Sequence, residues 1–237
     1  MSSTRTLTVG FVLYPGCTLL DFAGATQIFA YTPGFQVVWI GQDLKTPIPT
    51  TESVTVNASA TYADHPPLDI VFVPGGGSDG VGAAMQDKDL ITWLNAVAAD
   101  AQWVGSVCTG AFILAAAGLF DGCSVTTYWS ARPVLAMFPR LEVVPGYPRW
   151  HIDDDNKRFS GGGISSSIDL ALELVQTIAG TETANTSQLF VQYAPAPPVH
   201  AGDPTEASPE LVISVTQSQA DFTAGLVAAT KAVLGQG

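Results

Sequence analysis

Apolar positions along the chain come in continuous blocks rather than in strict alternation with polar ones. The runs "LTVGFVLY" (7–14), "QVVWIG" (36–41), "DIVFVP" (69–74) and "WVGSVC" (103–108) read as strands buried on both faces, since a half-exposed strand would alternate. "SVTTYW" (124–129) reads as a further strand. Between these runs, Leu19 to Tyr31, Ile91 to Asp100 and Thr109 to Leu119 carry helix-like patterns. The alternation predicts an α/β fold with a mostly parallel sheet sandwiched by helices.

Farther along, "RWHIDDDNKRFSGGG" (149–163) places a polar turn between two short runs and predicts a β-hairpin. The triple aspartate within it reads as the solvated turn and not as a cation site. "SSSIDLALELVQTIAG" (165–180) has a serine cluster in front, apolar spacing of three and four, and a closing glycine, the marks of a capped helix. Residues 193–210, "YAPAPPVHAGDPTEASPE", are too rich in Pro and Ala for regular structure and predict an ordered surface arm. Leu211 to Leu234 reads as one helical tail. With no internal repeat and no linker between two cores, the chain is expected to form a single domain over 1–237. Its core spans about 6–192, and the Pro-rich arm and tail occupy 193–237.

Composition narrows the function classes. The 237 residues are 47% hydrophobic and 13% charged, enough for a sizeable core. A net charge of −12, with nine Lys and Arg, argues against nucleic acid, whose binding depends on neutralised phosphates. The opening "TLTVGFVLY" is too short and too β-branched for a signal or membrane helix, so no membrane association and a cytoplasmic setting are expected. Three cysteines, Cys17, Cys108 and Cys123, with no C-x-x-C pair, form neither a disulfide framework nor a zinc knuckle. His65, His151 and His200 lack metal-ligand spacing, so no metal is expected. The five tryptophans and the aromatic "TTYW" read as core rather than as a ligand cage.

Three stretches carry candidate chemistry. "GGGSDG" (75–80) follows a strand and formally matches a dinucleotide-binding glycine pattern. The acid such a fold needs at the end of the second strand is missing, because Asp100 precedes the next strand instead. Anion stabilisation by backbone N–H groups, a plain tight turn and a dinucleotide site all remain open readings. Cys108 sits between a strand and the helix opening Thr109-Gly110-Ala111, the context that exposes a nucleophile and in which helix-terminal amides lower a thiol's pKa. A buried structural cysteine fits the local sequence equally well. In "LLDFAGATQIFA" (19–30), Asp21 is either a helix N-cap or an acid facing a pocket at the sheet edge that also carries Cys108. As a pair, the two would share a proton, since adjacent anions disfavour each other. Cys17 is expected partly exposed near the site, and Cys123 is expected to be structural.

Taken together, "VPGGG", "SVCTGAFILAAAGLFDG", "TTYW" and "SGGGISSSIDLALEL" resemble the PfpI/ThiJ superfamily over residues 6 to about 200. The resemblance implies a flavodoxin-like domain with its cysteine at a nucleophile elbow, and, together with the apolar surplus of the chain, a homodimer. Separately, the Pro-rich arm is expected to contribute to that interface. "LLDFAGATQIFA", with Asp where many relatives have Glu, and "QYAPAPPVHAG" resemble the isocyanide-hydrating branch. That branch adds water to an isocyanide to give an N-substituted formamide through a cysteine thioimidate, with no cofactor. By this resemblance Cys108 is the nucleophile and Asp21 its acid/base partner. Gly75 and Gly76 are backbone donors, Thr109 is a hydrogen-bonding wall residue, and Gly163 and Ile164 pack near the cysteine. Tyr128 stands where relatives often have His, which speaks against histidine-assisted amidotransferase or protease chemistry. A glyoxalase-like small-carbonyl enzyme and a cysteine redox sensor without turnover are the competing readings. Helix-turn-helix regulators of the superfamily carry an additional DNA-binding module, for which the residues beyond the resemblance are too few.

Overall fold

Leu7–Val12, the first apolar run, forms β1 of a computed structural model that describes residues 5–236, and almost every residue of the strand is buried. It is followed by α1 (Leu19–Ala30), β2 (Phe35–Gly41), the two-residue strands β3 (Ile48–Pro49), β4 (Thr55–Val56) and β5 (Ala60–Thr61), and β6 (Ile70–Val73). Next come α2 (Ser78–Gln86), α3 (Lys88–Asp100), β7 (Trp103–Val107), α4 (Gly110–Ala116), β8 (Ser124–Val125) and α5 (Arg132–Leu135). The chain closes with β9 (Glu142–Val143), β10 (Trp150–Asp153), β11 (Arg158–Gly161), α6 (Ser166–Ala179), α7 (Thr181–Phe190), α8 (Pro209–Ser218) and α9 (Ala220–Val233).

Seven strands form the central sheet in the order β10-β11-β7-β6-β1-β2-β5, and all neighbours are parallel except the β10–β11 hairpin. Helices cover it in two layers, α1 with α6 and α7, and α2 with α4 and α9. This is the flavodoxin-like, mostly parallel arrangement expected, hairpin included. An aromatic row runs across the middle. Phe11 packs on Phe72 at 5.0 Å between ring centroids, and Phe72 packs on Phe159 at 5.4 Å. Gly105 lies in register between the two strands that carry Phe72 and Phe159. A Cβ there would fall 2.3 Å from the Phe159 ring, so only glycine lets the two rings meet.

The chain leaves β1 toward β2 on one side and later returns to β6 on the other. That reversal opens a crevice at the carboxyl ends of β1 and β6, where open α/β sheets bind ligands. Asp21, the glycine loop and Cys108 all follow strands that end at this edge.

Three details differ from the sequence reading. "SVTTYW" yields only the short β8, paired with β9 outside the main sheet, and then a 3₁₀ turn over Trp129–Ala131. The tail is two helices and not one, broken at Gln219, and Ser208 caps the first by accepting from the Leu211 amide. Helices α2 and α7 were not foreseen. Both are short and rich in Gly, Ser, Thr or Asn, which blurs the apolar period.

Candidate active site

Cys108 directly follows β7 with φ of +55°, a left-handed backbone that is uncommon outside glycine. Three contacts hold it there. Its N–H donates to the carbonyls of Gly161 at 3.1 Å and Gly162 at 2.8 Å, and its own carbonyl accepts from Thr127 Oγ1 at 2.6 Å. Gly110 completes the turn, because a Cβ at that position would sit 2.3 Å from the Val73 carbonyl. The small residues around Cys108 therefore serve the sharp strand-to-helix turn of a nucleophile elbow.

The thiol is 5% exposed, and burial pushes its pKa well above the ordinary cysteine value. The charge of Asp21 pushes it further up, while hydrogen bonds from the amide and hydroxyl of Thr109 pull it down. The expectation of a thiol acidified by the helix terminus is thus overturned. Desolvation outweighs the few amides that α4 offers.

Asp21 is the third residue of α1, whose N-cap position belongs to Thr18, so the plain N-cap reading does not hold. Its carboxyl is fully buried. Oδ2 accepts from the Gly75 amide at 2.8 Å, whereas Oδ1 has no partner among the described residues. Burial raises its pKa above the ordinary aspartate value, and the charge of Glu52 adds to this against the opposing Gly75 bond. Cys108 and Asp21 each favour the protonated form, and the charge of Asp21 is felt by Cys108. They form a coupled pair.

The glycine loop is spent on holding this pair. The Gly75 amide goes to Asp21, the Gly76 amide to Thr109 Oγ1 at 2.9 Å, and the Gly77 amide to the Gly16 carbonyl at 3.1 Å. The Thr109 hydroxyl in turn donates to the Gly76 carbonyl at 3.0 Å. A Cβ on Gly75 would lie within 2.8 Å of both Thr109 and Cys108 Cβ, which explains the bare backbone. Gly75 and Gly76 are therefore brought to the cysteine, with their N–H groups directed to protein acceptors. The dinucleotide reading loses the free amides it required.

Gly163 and Ile164 line a cavity of about 1170 Å³ together with Thr127 and Gly162, both bonded to the Cys108 backbone, whereas Cys108 and Asp21 are not among its lining residues. A Cβ on Gly163 would meet the edge of the Tyr128 ring at 3.4 Å, ordinary van der Waals contact, and Ile164 is exposed. The Tyr128 hydroxyl accepts from Gln219 Nε2 at 2.6 Å, and Gln219 Oε1 accepts from Ser130 at 2.8 Å. Neither Gln219 nor the arm was read as part of the site. Gln219 carries no local signal, because its partners lie far away in sequence. His65 and His151 are bonded to Trp93 and Ser124, while His200 reaches the cavity from the arm. Trp129 and Trp150 also line this cavity, so the aromatic residues divide between core and wall.

Cys17 is fully buried and not partly exposed. Its backbone bridges Thr50 and Gly76, and burial pushes its thiol up to about 11. Cys123 is buried near the Asp121 carbonyl, away from the pair.

Residues 8–176 match the model of the DJ-1/PfpI family. The chain belongs to the DJ-1/PfpI family. Among curated relatives, an isonitrile hydratase of Pseudomonas putida is 37% identical, with 90% of each chain covered. The helix-turn-helix transcriptional regulator GbdR of Pseudomonas aeruginosa is 27% identical over 77% of this chain and 50% of its own length. Among solved structures, a THiJ/PfpI family protein from Pseudomonas syringae superimposes with a TM-score of 0.87 and 29% identity, covering 97% of this chain and 94% of that one.

Proposed function

We propose that this protein hydrates isocyanides to N-substituted formamides, with Cys108 as nucleophile and Asp21 as the acid/base. The observation that carries this reading is the buried Asp21 carboxyl, held by one oxygen to Gly75 with the other unpartnered, in electrostatic contact with a strained, buried Cys108. The 37% identity to an isonitrile hydratase supports it.

The raised pKa values suit this chemistry. A terminal isocyanide carbon takes up both a nucleophile and a proton, so a site that keeps its proton supplies both components. The Cys108 sulfur bonds to that carbon while the carbon receives the proton relayed by Asp21, and R–N≡C becomes the thioimidate R–N=CH–S–Cys108. Water then adds across C=N, its oxygen to carbon and a proton to nitrogen. The C–S bond breaks, the sulfur regains a proton through Asp21, and R–NH–CHO leaves.

Burial of Cys108 weighs against the redox-sensor reading, since peroxide sensing favours an exposed thiolate. In our reading the working form is a homodimer of single-domain subunits in the cytoplasm. No described helix is long and apolar enough to cross a membrane.

A panel of alkyl and aryl isocyanides set against methylglyoxal, followed by formamide release, tests the proposal. Formamide release that is lost in Cys108→Ser is expected. Turnover of methylglyoxal alone would move the protein to the glyoxalase-like reading.

A further inference from the structure

The Pro-rich arm begins beyond the 8–176 span of the family match, and the chemistry above gives it no task. In the structure it forms one wall of the large cavity, through Tyr193, Pro195, Pro197, Val199 and His200. The lining also includes the aromatic residues Tyr128, Tyr147 and Trp150.

The arm is pinned at its root. The Tyr193 hydroxyl donates to Asp169 Oδ1 at 2.7 Å, Asp169 is ion-paired with Arg149, and Arg149 reaches Ser165 at 3.3 Å. Burial and the bond to Asp169 push the Tyr193 phenol up to about 12, so it stays a donor throughout the working pH range. Prolines at 195, 197, 198 and 204 restrict the backbone beyond the anchor. The wall is thus preset rather than coiled at random. Tyr128 is fixed by Gln219 from the tail, so two segments outside the family match shape this cavity.

Thr127 and Gly162 bring one edge of this cavity of about 1170 Å³ beside the Cys108 backbone, while Cys108 and Asp21 themselves are not among its lining residues. An isocyanide group is two atoms long, so a cavity that begins next to the elbow is placed for what is attached to the nitrogen. Flat aromatic faces reward a flat ring by area burial and offset stacking, whereas a small alkyl group would leave most of the space wet.

We infer that this arm-walled cavity is the subsite for the isocyanide's substituent and selects large, flat aromatic groups over small alkyl ones. Trp150 and the Tyr193-anchored arm are its specificity determinants. The substrate class named here rests on the hydratase reading above.

The test uses the full chain, comparing kcat/KM for 2-naphthyl isocyanide and methyl isocyanide, with calorimetric titration of the matching formamides alongside. Wild type is expected to prefer the naphthyl compound by about tenfold or more, and Trp150→Ala to reduce that ratio about tenfold, through KM rather than kcat. Tyr193→Phe keeps the ring and removes only the anchor, and it is expected to reduce the ratio about threefold. A wild-type ratio near one, or ratios unmoved in both variants, would overturn the inference. No turnover of either isocyanide would defeat the hydratase reading instead, and titration would then decide the subsite alone. Tighter binding of N-(2-naphthyl)formamide than of N-methylformamide that Trp150→Ala abolishes would support it, and equal binding would overturn it.

Discussion

The amide of Gly75 donates to Asp21 Oδ2 at 2.8 Å across 54 residues of chain, and so fixes one carboxyl oxygen while leaving the other, buried, without a partner. An amide in place of the carboxyl preserves the acceptor for Gly75 but cannot relay a proton. Asp21→Asn is therefore expected to lose about 10²-fold or more in kcat while Cys108 can still be alkylated. Its melting temperature should lie at or slightly above that of wild type, because a buried group with an unpartnered oxygen and an elevated pKa gives way to a neutral one. Near-normal turnover by this variant would remove Asp21 from the mechanism.

Stability against pH gives an independent view of the same group. Burial holds the folded-state pKa of Asp21 above its unfolded value, so the folded chain binds that proton more tightly. The resulting contribution is complete below the ordinary Asp pKa of about 4 and is lost as pH rises through the folded value. Melting curves taken from pH 4 upward should show wild type losing more stability than Asp21→Asn. Parallel curves would mean that the carboxyl is not desolvated in solution.

Quenching the reaction during turnover of an aryl isocyanide should leave a mass adduct on the peptide carrying Cys108, and on neither Cys17 nor Cys123. The two other thiols are buried outside the coupled pair, with Cys17 near 11. The pH profile of kcat/KM should show two limbs belonging to the pair, one of which disappears in Asp21→Asn. An adduct on Cys17, or two limbs surviving that substitution, would contradict the assignment.

Thr109 links the loop to the elbow by both accepting from and donating to Gly76. Thr109→Val leaves the buried amide and carbonyl of Gly76 unpaired, at a cost of about 1–3 kcal/mol. For a chain of this size that lowers Tm by roughly 2–12 °C. Thr109→Ser, which keeps the hydroxyl, should restore most of the loss. Equal melting of the Val and Ser variants would show that the hydroxyl bonds are not structural.

How legible was this arrangement in the sequence? The sheet was, because parallel strands buried on both faces leave continuous apolar runs such as Ile70–Val73 that nothing else in a soluble chain requires. Cys108 was half legible. Its small neighbours announced the turn, but the sign of its pKa shift depends on burial and on Asp21, both set by long-range packing. Cys17 reads as partly exposed because it lies in a loop, while its burial goes with backbone bridges to Thr50 and Gly76, which are distant in sequence. Gln219 was illegible, since a lone glutamine on a tail does not reveal a hydroxyl 91 residues away.

The commitment of Gly75, Gly76 and Gly77 to Asp21, Thr109 and Gly16 bears on where charge on a substrate oxygen could be met. Hydrolysis of an ester or amide at Cys108 would build negative charge on a carbonyl oxygen, and cysteine and serine acylases meet that charge with spare main-chain N–H groups. Here the loop beside the nucleophile has already given its three amides away. An isocyanide asks for none of them during sulfur attack, because its reacting carbon bears no oxygen. Under the hydratase reading, charge that forms on oxygen only later, when water adds to the thioimidate, has to be met by donors outside this loop, the Thr109 amide beside the sulfur among them.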